Sequence, residues 1–203
     1  MLGSITPLGE RGRGRRWGGT VAAYALGSVS GGATAGAAAG AVGAALGAVV
    51  ALGPSLPWIA GAAVLAGAAI DAAAAALEPS GRLPGPGRQV NEEWLGRYRG
   101  WVTGVGFGFQ LGLGVATIVT TAAVYSLLVV AAMSGSPVIG AVIGATFGLA
   151  RALPILAVGR VRSPDGVLLV DARLRRWQPA SARLAPVAQV AAAAVLISAA
   201  VGR

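Results

Sequence analysis

The feature that most constrains this chain is a run of 35 residues, 18–52, without a charged side chain. A membrane-spanning helix needs about 20 consecutive, mostly apolar residues. Over the whole chain of 203 residues only 11% are charged, and 55% belong to the hydrophobic set. Soluble domains carry about 25% charged residues, and disordered chains have low hydrophobicity. The sequence therefore predicts an all-α, polytopic integral membrane protein.

Turn signals and charged segments divide the apolar sequence into about five predicted transmembrane helices. Residues 53–57 and 134–137 combine proline, glycine and serine, which is typical of turns, whereas segments 78–100 and 159–184 are rich in arginine. The run 101–133 is too long for one upright helix, so the third span is predicted to be tilted, broken or re-entrant. A basic cytoplasmic segment, 1–17, precedes one transmembrane domain, 18–203, whose predicted spans are 20–46, 58–77, 101–133, 138–158 and 185–202.

All 16 basic residues are arginine, and their positions predict the orientation of the chain. They cluster before the first span and in the two long loops, and cytoplasmic loops carry such an excess. We therefore expect a multi-pass protein of the cell membrane with a cytoplasmic N-terminus and an outside C-terminus. Contact of these clusters with anionic lipids accounts for the net charge of +9 without a nucleic-acid partner. The clusters are Arg11, Arg13, Arg15 and Arg16, then Arg82, Arg88, Arg97 and Arg99, then Arg160, Arg162, Arg173, Arg175, Arg176 and Arg183.

The residue types that are missing exclude most catalytic chemistry. The sequence contains no cysteine and no histidine, so it offers no thiol relay, no imidazole base and no cysteine or histidine ligand for a metal. It contains no lysine either, which excludes Schiff-base chemistry. The sequence therefore predicts a protein that is not an enzyme and that has no catalytic residue, no cofactor and no metal site.

Glycines recur every four residues in the first and fourth predicted spans. Small residues at this spacing let two helix backbones approach closely. Two interpretations remain open: the glycines pack helices within one subunit, or they form a seam with a second copy or another membrane protein. The glycines are Gly32, Gly36 and Gly40 in the first span and Gly140, Gly144 and Gly148 in the fourth.

The third predicted span carries a candidate substrate site around Gln110. Glycines are dense on both sides of this residue, and each weakens a helix by about 1 kcal/mol relative to alanine. Broken helices form the binding sites of many transporters, although close packing would also account for the glycines. The predicted substrate-binding residues are Gln110, Gly108, Gly112, Thr117 and Thr121.

Two ionisable residues, Asp71 and Arg151, lie inside predicted spans. Both spans run inward from an outer turn, and a rise of 1.5 Å per residue places both residues at one depth, about 20 Å below that turn. A charge in the bilayer is costly unless it is paired. We therefore predict an intramembrane ion pair between them. The alternatives are that Arg151 extends to the cytoplasmic interface, or that both residues belong to a gated ion or substrate site.

Three short segments, 5–9, 24–28 and 104–112, resemble in their order the motifs of a known family. That family is the CcdA/DsbD transmembrane family of cytochrome c biogenesis, within the LysE-type transporter group. Its two proline-cysteine motifs resemble 5–9, with Leu8 in place of the first cysteine, and 104–112, with Gln110 in place of the second. The resemblance implies a bacterial, transporter-like scaffold. Because both cysteines are missing, it implies no thiol–disulfide electron transfer.

Two functions follow from these observations. The first is that the protein moves a small solute or ion across the membrane. The alternative is a non-transporting subunit or scaffold that binds a partner through its glycine-rich helix faces. Transport predicts a water-accessible cavity that reaches Gln110, whereas the scaffold predicts a dry core and an exposed glycine face.

Overall fold

A computed structural model shows a bundle of α-helices and describes residues 6–49, 55–77, 98–116, 119, 121–161 and 163–201. By length and composition four helices could cross a membrane: Trp17–Ala48, Leu56–Ala76, Pro137–Gly159 and Leu168–Ser198. This architecture confirms the predicted all-α, polytopic fold. In chain order the helices are α1 (Pro7–Gly12), α2 (Trp17–Val49), α3 (Leu56–Leu77), α4 (Gly100–Gly112), α5 (Ala123–Met133), α6 (Pro137–Ala152), a 3₁₀ helix (Leu153–Arg160) and α7 (Pro164–Val201).

Helix α4 packs against α2 and runs parallel to it. Three glycines of α4 each lie against a backbone carbonyl of α2, and a Cβ atom at any of them would overlap with that carbonyl. The pairs are Gly104 with Thr20, Gly108 with Tyr24, and Gly112 with Ser28. Both helices therefore begin at the same end of the bundle, which we call the arginine end because the first arginine cluster precedes α2 there.

Helix α6 packs against α2 in the opposite direction. Gly36 lies against the backbone of Gly140, and Gly32 lies against the backbone of Gly144, so no side chain separates the two helices. Ser28 also donates a hydrogen bond from Oγ to the carbonyl of Gly148, at 2.7 Å. The two glycine stripes that the sequence shows are thus packed against each other within one chain.

The predicted third span, 101–133, consists of two half-helices. Helix α4 ends at Gly112, and Gly114 has a φ of +74°, which favours glycine. Helices α4 and α5 contain 13 and 11 residues, and each is too short to cross a bilayer alone. Because α5 ends beside α2, where Ala132 contacts Gly43, the two halves meet inside the bundle. The interruption that the glycines predict is confirmed.

The segment 159–184 is predicted to be a loop, but most of it is helical. Arg160 ends the 3₁₀ helix, and α7 begins at Pro164 and continues for 38 residues, through Pro179 and Pro186. At 1.5 Å per residue α7 is about 57 Å long, which is nearly twice the thickness of the hydrocarbon core. The fifth span is therefore the second part of a much longer helix. A high arginine content indicates exposure to water, but it does not distinguish an exposed helix from a loop.

The hydrophobic core lies at the arginine end of the bundle. Phe107 of α4 is fully buried there, and buried side chains of α2, α6 and the 3₁₀ helix surround it. Towards the other end, the interfaces that α2 forms consist mainly of glycine backbone. The buried members of the core are Val21, Tyr24, Phe107, Ala152, Ile155, Val158 and Val161.

Helix α1 fastens the basic N-terminal segment to the bundle. Its Glu10 is fully buried, accepts a hydrogen bond from Oγ1 of Thr20 at 2.6 Å, and forms an ion pair with Arg13 at 3.0 Å. This part of segment 1–17 is consequently packed against the start of α2.

Candidate functional site at a buried carboxylate

Asp71 of α3 lies beside the first residues of α5. Its side chain is 6% exposed and accepts four hydrogen bonds. The backbone N–H of Ala122 donates to Oδ1 at 2.7 Å, and the N–H of Ala123 donates to Oδ2 at 3.2 Å. Oδ2 also accepts from Oγ1 of Thr121 and from Nε2 of Gln189, both at 2.6 Å.

The Asp71 carboxylate supplies hydrogen-bond acceptors for the first N–H groups of a helix that starts inside the membrane. The first N–H groups of an α-helix have no partner within the helix, and the hydrocarbon core holds no water to bind them. Asp71 accepts two of these N–H bonds at the start of α5. Its negative charge also interacts favourably with the dipole at a helix N-terminus. Asp71 therefore caps α5 from a neighbouring helix.

Gln189 of α7 extends this network to a third helix. While its Nε2 donates to Asp71, its Oε1 accepts a hydrogen bond from Oγ of Ser126 at 2.7 Å. Gln189 and Ser126 are 4% and 7% exposed. The sequence prediction missed Gln189, although an isolated amide in the apolar run after Pro186 is the kind of signal that marks intramembrane polar sites.

A cleft of about 360 Å³ opens beside this network, between the end of α3 and the middle of α7. Polar atoms of Asp71, Thr121, Gln178 and Ser181 line it, and its remaining walls are alanines. Helix α3 runs opposite to α5, because Gly67 lies against Ser126 and Asp71 lies against the start of α5. The cleft, which follows Asp71 along α3, therefore lies toward the arginine end. Its alanines are Ala74, Ala75, Ala182 and Ala185.

The structure does not bring Asp71 and Arg151 together, so the predicted ion pair is wrong. The described hydrogen-bond partners of Asp71 are all neutral, and the guanidinium of Arg151 lies over the ring of Phe147, 5.4 Å from its centroid. The reason is the broken helix, whose N–H groups satisfy the carboxylate without a cation. Two residues at the same depth in the membrane can also point in different directions. Asp71 faces α5 and α7, whereas Arg151 is on α6, which packs against α2.

The structure does not bring the four described members of the predicted substrate-binding set together around one cavity. Gly108 and Gly112 lie against backbone carbonyls of α2, which leaves no room for a substrate. Gln110 is partly buried and forms no side-chain hydrogen bond with a described residue. Thr117 lies outside the described residues. Among the described members of this set, only Thr121 lines the cleft, where it donates to Asp71.

Within the described part of the chain, no group of three or more Asp or Glu side chains could hold a metal ion. Asp71 is the single carboxylate among the described residues that line the cleft. The arrangement can therefore hold a small polar or cationic group against one carboxylate, with hydroxyl and amide groups beside it.

The sequence profile of a family described as the cytochrome c biogenesis protein transmembrane region matches residues 2–195. The chain belongs to this family. The resemblance found in the sequence is thereby confirmed, and this family member is a multi-pass integral membrane protein, since its helices provide several candidate spans.

A curated relative of this family member is the methylamine utilization protein MauF of Methylophilus methylotrophus, which is 36% identical over 99 residues. The match covers 48% of the present chain and 34% of MauF, so the two share about a third of the length of MauF. No solved structure matches the chain.

Proposed function

We propose that this member of the cytochrome c biogenesis transmembrane family moves a small cationic solute or ion, and that it performs neither catalysis nor thiol redox chemistry. The observation that carries the proposal is the cleft that ends at Asp71. Four neutral groups donate to this carboxylate, and none of these described partners is a cation, so the carboxylate can attract a cationic ligand into the cleft. Oδ1 accepts one hydrogen bond in this network, and a carboxylate oxygen has capacity for a second contact.

The break between α4 and α5 supports the same function. Transporters often bind their substrates at discontinuous helices near the middle of the bilayer. Non-helical backbone is tolerated there only where protein buries it or where it lines a cavity. Here the carboxylate of Asp71 and the hydroxyl of Thr121 lie at the end of the break and also line the cleft.

Cation transport fits the chemistry that the sequence allows. The sequence contains no cysteine, so this chain has no residue that could carry out thiol–disulfide electron transfer. The name of the relative MauF refers to methylamine utilization, and methylammonium is a small cation of the class that a carboxylate site accepts. Methylammonium is therefore our first choice of probe.

The alternative function is a subunit that binds a partner through glycine-rich helix faces. In the described chain, the glycine stripes of α2 and α6 already lie against each other, and three glycines of α4 lie against the backbone of α2. A partner would have to displace these helices to reach the glycines. This packing favours transport over the scaffold.

Transport can be tested in proteoliposomes with radiolabelled methylammonium and rubidium as probes. Ala182→Leu places a larger side chain in the cleft without removing any hydrogen bond of Asp71, and we expect it to slow uptake at least tenfold. Ala180→Leu, on the exposed face of the same helix, is the matched control and should transport like the unmodified protein. If neither probe enters faster than into protein-free vesicles, the proposal is wrong.

The orientation in the cell membrane is a second proposal: the arginine end is cytoplasmic and the C-terminus is outside. Because the sequence has no cysteine, single cysteines can be placed at Ser55, Ser134 and Ser163. A membrane-impermeant maleimide should label the first two in intact cells and Ser163→Cys only after permeabilisation. Ser80→Cys, which is outside the described residues, should behave like Ser163→Cys. Labelling of Ser163→Cys from outside would reverse the orientation.

A further inference from the structure

Helices α3 and α7 lie side by side and run in opposite directions. Their contacts fix a register in which the residue number of α7 falls as that of α3 rises. Gly61 lies against Ala193 and Ile197, and Gly67 lies against Gln189. Ala75 and Ser181 line the same cleft, which agrees with this register. Leu77, the last residue of α3, is therefore level with about residue 179 of α7.

This level marks the edge of the membrane at the arginine end. Helix α3 has 22 residues, which is about 33 Å at 1.5 Å per residue and matches a hydrocarbon core of about 30 Å. Trp177 then lies about 3 Å beyond the core, and Arg173 lies about 9 Å beyond it. The headgroup region extends roughly 5–8 Å from the core on each side. Tryptophan is enriched at this depth, and an arginine side chain can extend back into the headgroups.

One face of α7 combines arginine with exposed apolar side chains at this depth. We call Leu169, Arg173, Arg176 and Trp177 the α7 lipid face, because the helical rotation of 100° per residue places them on one side of the helix. They line a shallow pocket of about 520 Å³. Leu169 is 72% exposed and Trp177 is 67% exposed. The face points away from Gln178 and the cleft.

The arginines of the α7 lipid face have no acidic partner among the described residues. Asp171 lies on another side of the helix, where its Oδ2 forms an ion pair with Nε of Arg175 at 2.7 Å. Arg173 and Arg176 form no ion pair with any described residue, so no acidic group in the described part of the chain neutralises these two guanidinium groups beside an aromatic ring and a leucine. A guanidinium group can bind two phosphate oxygens at once, while the apolar side chains contact the start of the acyl chains.

We propose that the α7 lipid face binds the headgroup of an anionic phospholipid. The charge, the depth in the membrane and the mixture of arginine with tryptophan all match this ligand. The site is independent of the cleft, since it lies on the opposite side of α7, and transport can fail while lipid binding persists.

The test uses the full chain in phosphatidylcholine vesicles, with brominated phosphatidylglycerol as the ligand that quenches tryptophan fluorescence. The part of the quenching that is lost in the Trp177→Phe variant is the signal from Trp177, and this part reports on the α7 lipid face. We expect brominated phosphatidylglycerol to reach half-maximal quenching at a much lower mole fraction than brominated phosphatidylcholine. One arginine near an anionic surface contributes about fivefold in affinity, so Arg173→Gln combined with Arg176→Gln should raise the midpoint about 25-fold. Millimolar inorganic phosphate should not compete.

Arg175→Gln is the matched control, because it makes the same chemical change on another side of the helix. It should alter the midpoint less than twofold, and circular dichroism should show that all variants keep their helices. Equal quenching by the two brominated lipids would overturn the proposal. An effect of Arg175→Gln as large as that of Arg173→Gln would also overturn it, since it would indicate general surface charge instead of a site.

Discussion

Gly36→Leu should prevent the bundle from assembling, and Gly36→Ala should lower the free energy of unfolding by at least about 3 kcal/mol. A Cβ atom at Gly36 would overlap with the carbonyl of Gly140 on α6. Overpacking a core costs about 1–3 kcal/mol where side chains can adjust. Here the obstacle is backbone, so α2 and α6 would have to separate along their whole seam.

Gly47 provides the matched control on the same helix. A Cβ atom there would meet nothing within 4 Å, so Gly47→Ala should stabilise the protein by up to about 1 kcal/mol through its helix propensity. Both variants can be compared by unfolding in detergent mixtures, followed by circular dichroism. If Gly36→Ala were as stable as Gly47→Ala, the close seam between α2 and α6 would be wrong.

The glycine stripes illustrate what the sequence can and cannot predict about the fold. A spacing of four residues identifies the face of a helix that accepts a close neighbour, and Gly36 and Gly140 do lie on such faces. A glycine has no side chain whose size or charge could select its partner. The sequence therefore left open whether the stripes meet each other or another chain, and only the tertiary arrangement shows that α2 and α6 pack together.

The break in the third span was predictable, but the residue that completes it was not. Clustered glycines weaken a helix locally, and this effect needs no knowledge of the rest of the chain. The N–H groups at the start of α5 could have been satisfied by any polar residue at the right depth. Asp71 is about 50 residues away from them, and Gln189 is more than 60 residues away from Ser126. Sequence reasoning paired Asp71 with Arg151, the other ionisable residue inside a predicted span at the same depth, because it treated the penalty for burial as a matter of charge alone.

Asp71→Asn should weaken the protein more than any other single change in its polar network. Hydrogen bonds to a charged group contribute about 1.5–3 kcal/mol each, and Asp71 accepts four. An asparagine keeps one acceptor oxygen. Its NH₂ group replaces the other oxygen and, being a donor itself, cannot accept the hydrogen bonds that the neighbouring groups donate. Because burying a neutral side chain costs less than burying a charge, part of the loss is recovered. We expect a net loss of about 2–4 kcal/mol in the free energy of unfolding.

The control for Asp71→Asn is Asp171→Asn, which removes the same charge from an exposed pair with Arg175 and should change the free energy of unfolding far less, because exposed ion pairs contribute little to stability. Double variants then distinguish the contacts of Asp71. Gln189→Leu shares the network and should be strongly non-additive with Asp71→Asn. Arg151→Gln lies in a different contact, over Phe147, and its effect should add to that of Asp71→Asn within about 0.5 kcal/mol. A coupling above about 1 kcal/mol between positions 71 and 151 would restore the ion pair and remove the argument that Asp71 caps α5 without a cation.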